Sequence, residues 1–379
     1  MARNIVHMAL PMTVAQLINI LYNVVDRMYL GRLPGHLALT GLGLCLPIIS
    51  ILMAFANLCG MGGAPLCSIH RGRGENEEAE RIMGNSFALL LLFGAGLTVL
   101  CLAFRRPILY LFGASDVTFP YANDYLTIYV LGTVFVMIGL GMNPFINSQG
   151  FSGMGMLTVA LGAVVNIVLD PIFIFLLGMG VRGAALATVI SQACSAVWVL
   201  CFLTGRRVIL RLRPAALRLR WARVRRILAL GVPSLLTQIL TALVQITLNN
   251  LLRVHGAASV YGSDIALSVY GMMMKVYQIA HSMFVGVSSA VQPINGYNFG
   301  AKHFLRVRQT FRTAAAIALV ISGVWFLVFQ LFPRQIGMLF VSDSPLYLDC
   351  AQHCFRLYMA AFFLYGLHLA TASFFPGIG

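Results

Sequence analysis

Several apolar stretches of the chain exceed the roughly 20 residues that a helix needs to cross a bilayer, and they follow one another closely. Hydrophobic residues make up 59% of the 379 positions and charged residues only 10%, so lipid must be the main solvent of the fold. Pro and Gly interrupt the stretches at intervals that do not fit the alternation of a barrel strand. We therefore expect an all-α integral membrane protein with many spans.

The apolar stretches define ten candidate membrane spans. These lie at about 8–32, 38–69, 83–104, 121–146, 154–178, 182–205, 227–252, 258–289, 313–332 and 346–375. Of the 26 Lys and Arg, the alternate loops on the side of the N-terminus hold 17, and the loops on the other side hold six. The positive-inside rule then predicts a cytoplasmic N-terminus, and no removable signal is visible before the first span.

A strongly basic segment, RRVILRLRPAALRLRWARVRR at 206–226, separates the sixth span from the seventh. It alternates arginine with apolar residues and contains Pro214, which is typical of a cytoplasmic linker that lies along an anionic leaflet. The segment divides the chain into a first lobe at 1–205, with six spans, and a second lobe at 227–379, with four.

An internal repeat supports this division. Pro11 and Gln16 recur as Pro233 and Gln238, and both pairs are shifted by 222 residues. The repeat unit holds six spans, an even number, so both copies enter the membrane in the same direction and are related by an axis along the membrane normal. Transport by alternating access of two lobes follows naturally from such an arrangement.

The repeat also predicts how far the second lobe extends. Tyr129 pairs with Tyr358, and Gly150 pairs with Gly377, so the shift drifts only from 222 to 229. The counterparts of the fifth and sixth spans would begin where the sequence ends. We therefore expect about ten helices, with the last two of a twelve-helix arrangement missing.

Two of the eleven acidic residues, Asp26 and Asp170, lie deep within apolar spans. A carboxylate inside the membrane costs roughly 3 kcal/mol or more, so each is a candidate functional group. Both lie about 16 to 18 residues into outward-running helices, hence at a similar height. Asn166 precedes Asp170 by one turn, and Thr188 in the sixth span returns to that level. The four side chains are predicted to form a cation-coupling site.

A structural interpretation stands beside this one. Asp26 would pair with Arg27, and Asn166 would hold Asp170 in a network without a transport role. Successive helical positions diverge by about 100°, so Arg27 is poorly placed to neutralise Asp26. We favour the coupling site over the structural network.

Pro171 is predicted to kink the fifth span directly after Asp170. Because proline has no backbone N–H, the carbonyl of Ile167 loses its helical partner and is available to a cation or to water. Either a proton or Na⁺ would fit such a site. The possible Na⁺ ligands are Asp26, Asn166, Asp170 and Thr188.

The eighth span carries a candidate substrate wall. Tyr270, Met274 and Tyr277 are adaptable, polarizable side chains that suit flat, lipophilic, cationic molecules, and Gln238 of the seventh span is added to them. At helical spacing such residues also serve as ordinary packing. Lys275 is a deep lysine that either shapes the selectivity of the cavity or extends to the interface.

The sequence contains no pattern typical of an enzyme. Its Gly-x-Gly pairs lack a following Lys-Ser/Thr, and its eight cysteines show no C-x-x-C pair or metal spacing. The formal net charge is +15, but the basic residues gather in short loops rather than along a face that follows a phosphate backbone. We expect no catalytic activity, no cofactor besides a coupling ion and no nucleic-acid partner.

Four stretches resemble the multidrug and toxic compound extrusion (MATE) family, most closely its bacterial multidrug exporters. They are NILYNVVDRMYLGRL at 19–33, INSQG at 146–150, GAVVNIVLDPIFIFLLGMGVRGAALAT at 162–188 and VQPINGYNFGA at 291–301. The resemblance implies twelve helices in two six-helix lobes around a central cavity. It also implies drug efflux driven by a proton or sodium gradient across a bacterial plasma membrane.

By this resemblance, the cation site of the family's amino-terminal lobe falls on the same four residues, Asp26, Asn166, Asp170 and Thr188. Some relatives carry an acidic residue in the seventh or tenth helix. This chain has Gln238, Gln245 and His353 nearby, which makes a second-lobe cation site doubtful.

The sequence therefore predicts a monomeric antiporter that exports lipophilic cationic drugs in exchange for H⁺ or Na⁺. Two alternatives stay open. One is a flippase for lipid-linked oligosaccharides of the same superfamily, which would favour a strongly cationic cavity. The other is a truncated membrane fragment that does not transport.

Overall fold

The computed structural model describes residues 2–32, 37–341 and 344–379, and it contains only helices and connecting loops there. Leu33, the last residue of the first matching stretch, lies outside these residues. The α-helices are α1 (Ala2–Gly31), α2 (Leu37–Gly72), α3 (Asn76–Ala103), α4 (Arg105–Leu111), α5 (Phe119–Leu131), α6 (Thr133–Ser148), α7 (Ser152–Pro171), α8 (Gly180–Thr204), α9 (Trp221–Ala257), α10 (Gly262–Gly300), α11 (Phe304–Leu331), α12 (Pro333–Met338), α13 (Pro345–Tyr358) and α14 (Phe362–Ile378).

Every predicted span coincides with a helix or with a bent pair of helices. Within the described residues, seven helices are long and apolar enough to cross a membrane, and two bent pairs raise the number to nine. The remaining predicted span is α10, which is 39 residues long but is not among these nine. The all-α membrane fold is therefore confirmed.

Two of the spans bend, which the apolar pattern did not predict. α5 and α6 meet at 56° around Gly132, and α13 and α14 meet at 48° around residues 359–361. Tyr129 and Tyr358, a pair of the internal repeat, stand just before the two bends. Both copies of the repeat thus bend at equivalent positions.

The core of the second lobe is strongly aromatic. Phe284, Phe329 and Phe355 are almost fully buried, and Phe362 joins them from α14. The ring centroids of Phe329 and Phe362 are 5.1 Å apart in an edge-to-face arrangement. Such pairs add about 0.5–1.5 kcal/mol beyond the burial of their area, so this cluster holds α10, α11, α13 and α14 together.

The two lobes meet most closely on the side of the N-terminus, where glycines permit backbone contact. A Cβ on Gly231 of α9 would lie 1.9 Å from the carbonyl oxygen of Leu58 in α2. One on Gly300 of α10 would lie 2.0 Å from the carbonyl oxygen of Ile69 in α2. Neither position has room for a side chain, so the lobes are closed against each other at this end.

The basic segment docks on the first lobe. Leu210 is 1% exposed, and the Gln149 side-chain oxygen accepts hydrogen bonds from the backbone N–H groups of Ile209 (2.9 Å) and Leu210 (2.8 Å). The Asn85 side-chain oxygen accepts another from Arg220 N–H (2.9 Å). α9 begins at Trp221, earlier than the predicted start at 227. The division into two domains at this segment stays a prediction.

Candidate functional site

The four predicted site residues come from three helices that pack side by side. Asn166 and Asp170 lie on α7, which packs against α1, the helix of Asp26, and against α8, the helix of Thr188. Asp170 and Asn166 are 0% and 1% exposed, Thr188 is also buried, and Asp26 is partly buried. The structure thus brings together all four residues that the depth of the spans selected.

The α7 and α8 side chains are joined by hydrogen bonds. The amide nitrogen of Asn166 donates to Oδ1 of Asp170 at 3.3 Å and, at 3.5 Å, to Oγ1 of Thr188. The Thr188 hydroxyl itself donates to the carbonyl oxygen of Ala184 at 2.9 Å. Because that hydroxyl proton is committed to Ala184, the lone pairs of Thr188 Oγ1 face the site as acceptors.

The carboxyl groups of Asp26 and Asp170 lie within hydrogen-bonding reach of each other. Arg27 interacts electrostatically with Asp26 but forms no ion pair in the described part of the chain. The expectation that Arg27 is poorly placed to neutralise Asp26 agrees with this geometry. Two carboxylates so close together repel each other unless a cation or a proton lies between them.

Three buried oxygens of the site have no hydrogen-bond partner. They are Oδ1 of Asp26, Oδ1 of Asn166 and Oδ2 of Asp170. Because an unsatisfied buried polar group costs about 1–3 kcal/mol, these oxygens favour a bound proton, cation or water. An all-oxygen set of carboxylates, an amide and a hydroxyl suits a hard cation or a proton. No group of three or more His, Cys, Asp or Glu with metal-binding geometry occurs among the described residues.

The helix geometry changes directly after Asp170. α7 ends at Pro171, and a single π-helical turn follows at Ile172–Leu176. This agrees with the predicted irregularity at Pro171, because proline removes a helical hydrogen bond. Single π-helical turns of this kind are frequent at functional sites.

Two tyrosines of the site were missed in the sequence analysis. Tyr22 precedes Asp26 by one helical turn and interacts electrostatically with both aspartates. Tyr125 of α5 is 3% exposed and lies within hydrogen-bonding reach of Thr188. The four-residue spacing was a signal for Tyr22. No sequence signal pointed to Tyr125, because its contact depends on how α5 packs against α8.

A small polar cavity of about 40 Å³ adjoins the site through Tyr22. Its polar lining consists of Asn19, Tyr22, Asn143, Thr158, Ser191, Gln192 and Ser195. The volume and the lining suit one or two water molecules. The cavity therefore provides polar space next to Tyr22, one helical turn from Asp26.

The candidate substrate residues of α10 do not share one environment. Tyr270 is 7% exposed and packs in the aromatic core with the partly buried Met274 and Tyr277. Lys275 is exposed, and Gln238 of α9 is half-buried. The structure does not bring these five side chains to a single wall. Their role in binding substrate stays a prediction.

Lys275 faces Arg27 across the space between the lobes. Their heights can be compared from a point where α1 and α10 touch. At that point a Cβ on Gly286 of α10 would lie 2.0 Å from Oγ1 of Thr13 in α1. From that contact, Arg27 lies 14 residues along α1 and Lys275 lies 11 residues back along α10, heights of about 21 and 16 Å. The two cations interact electrostatically, and neither forms an ion pair among the described residues.

Comparisons with known proteins agree with the fold. The sequence model of the MatE family matches residues 11–172 and 233–379. The multidrug export protein MepA of Staphylococcus haemolyticus (strain JCSC1435) is 27% identical over 361 residues, which are 95% of this chain and 78% of that protein. A crystal structure of a MATE protein in complex with MaD3S superposes on the whole chain with a TM-score of 0.91 at 23% identity, and 83% of it is covered.

A second matched structure is an outward-facing multidrug resistance transporter of the MATE family, with a TM-score of 0.90 and 23% identity. This chain is covered completely in that match, and 82% of the transporter is covered. The prediction that the last two helices are missing is not borne out, since the whole chain superposes on these transporters. The prediction depended on pairing Gly150 with Gly377, and one pair of glycines does not measure the extent of a fold.

Proposed function

Because the chain belongs to the MatE family of multidrug and toxic compound extrusion transporters, we propose that it exports lipophilic cationic drugs in exchange for a cation. The observation that carries the proposal is the pair of carboxyl groups, Asp26 and Asp170, within hydrogen-bonding reach of each other in the first lobe. An ionisable pair inside a membrane is a candidate functional site by default, because its burial in the membrane destabilises the fold. The MepA relative, named as a multidrug exporter, supports the drug as cargo.

The coupling follows from the electrostatics of the pair. Loading a proton or Na⁺ between Asp26 and Asp170 removes their repulsion and lets α1 approach α7 more closely. Unloading separates them again, so the cation favours one conformation and the drug the other. Each ligand drives the exchange only through its different affinity for the two states.

A proton is the simplest coupling ion for this donor set. One proton held between Asp26 and Asp170 leaves a single negative charge, and the Asn166 amide already donates to Asp170. Na⁺ would need further oxygens, for which Thr188 Oγ1, the Ile167 carbonyl and water from the adjoining cavity are the candidates. The protein is proposed to work as a monomer in a bacterial plasma membrane, with its N-terminus in the cytoplasm.

The test is gradient-driven transport of a fluorescent organic cation into proteoliposomes that hold the purified chain. A pH gradient and a Na⁺ gradient are imposed separately on wild-type protein, Asp26→Asn and Asp170→Asn. We expect each substitution to slow the initial rate at least about tenfold, a loss within the usual range of coupling energies. The gradient that drives the wild type identifies the ion.

Asp264→Asn is the matched control, because Asp264 is an exposed aspartate in the first turn of α10. It makes the same chemical change outside the pair and is expected to transport at the wild-type rate. Wild-type rates in both Asp26→Asn and Asp170→Asn would contradict the proposal.

The facing cations favour a second candidate, a flippase for lipids with anionic headgroups. Arg27 and Lys275 have no ion-pair partner among the described residues, and a phosphate between them would neutralise both. Competition between a soluble diphosphate headgroup analogue and the fluorescent cation distinguishes the two. Strong competition that Lys275→Gln removes would favour the flippase.

A further inference from the structure

A hydrogen-bonded chain of two tyrosines and a histidine lies in the second lobe, far along the sequence from the acidic pair. Oη of Tyr277 and Oη of Tyr365 are 2.5 Å apart, and Oη of Tyr365 is 2.8 Å from Nδ1 of His281. Tyr277 and His281 are one turn apart on α10, whereas Tyr365 reaches them from α14. The chain therefore joins two helices of this lobe through a titratable group.

Aromatic rings enclose this chain. The ring of His281 stacks on Tyr277, with centroids 5.7 Å apart and planes 16° apart, and Tyr365 stacks on Phe362 at 5.2 Å. Phe284 packs edge-on against Tyr365 at 5.6 Å. An imidazole in such a shell has a fixed orientation, so its Nδ1 is held toward the Tyr365 hydroxyl.

Among the residues that the structure describes, no carboxylate acts on His281. The titratable neighbours are Tyr277 on its own helix, Tyr365 and His368 on α14, and Tyr358 on α13. Tyr358 interacts electrostatically with both Tyr277 and Tyr365. Lys275 is the nearest charged residue along α10. No charged group from α1, α2, α6, α9 or α11 acts on the imidazole within the described residues.

We propose that His281 is a second protonation site of this transporter, located in the second lobe and relayed through Tyr365 and Tyr277. The proposal rests on the proposed cation-coupled export and adds a site to it. A histidine is the side chain whose unperturbed charge changes between about pH 5 and 8. An ionisable group placed within a membrane span is a functional candidate, and here its hydrogen-bond partners are identified.

The proton balance is simple. In the neutral state Tyr277 donates to Tyr365, and Tyr365 donates to Nδ1 of His281. When Nδ1 takes up one proton, its N–H donates to Oη of Tyr365, whose own hydroxyl turns to donate to Oη of Tyr277. The Tyr277 hydroxyl then donates to a group other than Tyr365 and His281. One proton is gained, no covalent bond besides N–H forms, and the two hydroxyls only rotate.

Protonation thereby changes what Tyr277 offers to its surroundings. When His281 is protonated, the Tyr277 hydroxyl can donate a hydrogen bond to a group other than Tyr365. When His281 is neutral, that hydroxyl donates to Tyr365 and cannot. A charged imidazole also places a positive charge in an aromatic shell at a level of α10 close to Lys275. Drug binding to this region is expected to differ between the two states, which is the condition for coupling.

The test uses the purified full chain with ¹³C-labelled histidine. The eight histidines are followed by NMR from pH 5 to 8, and the His281 signal is the one absent from His281→Gln. Affinity for a fluorescent organic cation is measured over the same range. We expect the affinity of the wild type to change several-fold over the pH range in which His281 titrates. The affinity of His281→Gln should not change over that range.

Tyr365→Phe keeps the ring packing and removes the hydroxyl, so it tests the relay if His281→Gln folds poorly. The bond from a protonated imidazole is charge-assisted and stronger than the one that neutral His281 accepts. Its loss should lower the midpoint of the titration by up to about one pH unit. His255→Gln changes an exposed histidine in the last turn of α9 and is the control, so it should leave the midpoint unchanged.

The two proposals fail in different ways. If the His281 signal does not titrate, or if the affinity step persists in His281→Gln, the second site is wrong even when Asp26 and Asp170 are essential for transport. If Asp26→Asn and Asp170→Asn transport normally, the coupling proposal is wrong, whereas the titration of His281 remains measurable. An affinity step that the control His255→Gln abolishes would also overturn the assignment.

Discussion

The two lobes bend at equivalent positions of the internal repeat but differ in their chemistry. The first lobe places two carboxyl groups against an amide and a hydroxyl, whereas the second lobe fills the same kind of interior with phenyl rings, two tyrosines and His281. The shift of 222 residues that relates Pro11 to Pro233 carries Asp26 onto Leu248. Leu248 packs against the aromatic core.

This difference shows which properties the repeat retains. The bends at Gly132 and near residue 360 occur in both copies, so the paths of the helices are shared. The ionisable groups are not shared, because the position of Asp26 in the first lobe corresponds to Leu248 in the second.

The largest effect is expected from Leu248→Asp, which gives the second lobe a counterpart of Asp26. Leu248 packs with hydrophobic and aromatic side chains, and no counterpart of Asp170 or Asn166 belongs to this cluster. The new carboxylate therefore loses its hydration without gaining such a partner. The free energy of unfolding in detergent should fall by roughly 3 kcal/mol. Leu248→Met, which conserves volume, should cost less than about 1.5 kcal/mol. Equal stabilities would mean that water already reaches this position.

The contact between the lobes can be tested with two glycines of the second lobe. In Gly231→Ala the new Cβ meets the carbonyl oxygen of Leu58, a backbone atom that cannot turn aside, whereas Gly271→Ala has nothing within 4 Å. Overpacking of this kind costs about 1–3 kcal/mol. Thermal unfolding in detergent should show that loss for Gly231→Ala, and only the small propensity change for Gly271→Ala. Similar values for both would contradict the closed contact.

The sequence alone predicted the spans, because apolar length is enough to identify a helix in lipid. It also predicted that Asp26, Asn166, Asp170 and Thr188 share one level, because rise per residue fixes height. It did not reveal Tyr125 or the Tyr365–His281 contact, since both depend on which helix packs beside which. Tyr365 and His281 are separated by 84 residues, and no local pattern connects them.

The bends and the docking of the basic segment were missed for a different reason. An apolar pattern reports that a stretch lies in lipid, but it does not report a change of helix direction at Gly132. The side-chain oxygen of Gln149 holds the backbone of residues 209 and 210, and a glutamine has no sequence signature for that role. The alternation of arginine with apolar residues in the segment was visible, and Val208, Leu210 and Leu212 are the apolar side chains that are buried against the protein.

Asp170→Asn is expected to raise the free energy of unfolding moderately, whereas Leu248→Asp and Gly231→Ala lower it. The amide removes the repulsion from Asp26 and supplies a donor to a carboxylate that has an unsatisfied oxygen. The free energy of unfolding at pH 8 should rise by about 1 kcal/mol, the net value of one hydrogen bond. Transport should fall at the same time, as at sites whose strain serves function. Asp264→Asn should leave the stability unchanged, and a destabilised Asp170→Asn would favour the structural network.

The smallest effect is expected from Lys275→Gln, and it separates cationic cargo from anionic cargo. Lys275 and Arg27 face the same space, so a monocationic drug there is repelled by both. Two unit charges about 10 Å apart in water interact by about 0.4 kcal/mol, which is about a twofold change in affinity. Lys275→Gln should therefore bind a monocationic dye about twofold more tightly and an anionic dye about twofold more weakly. Arg253→Gln removes the same charge near the end of α9 and should change neither affinity. If Lys275→Gln also left both affinities unchanged, Lys275 would lie away from the cargo, and Arg27 would be the residue of this pair left to test for an effect on charged cargo.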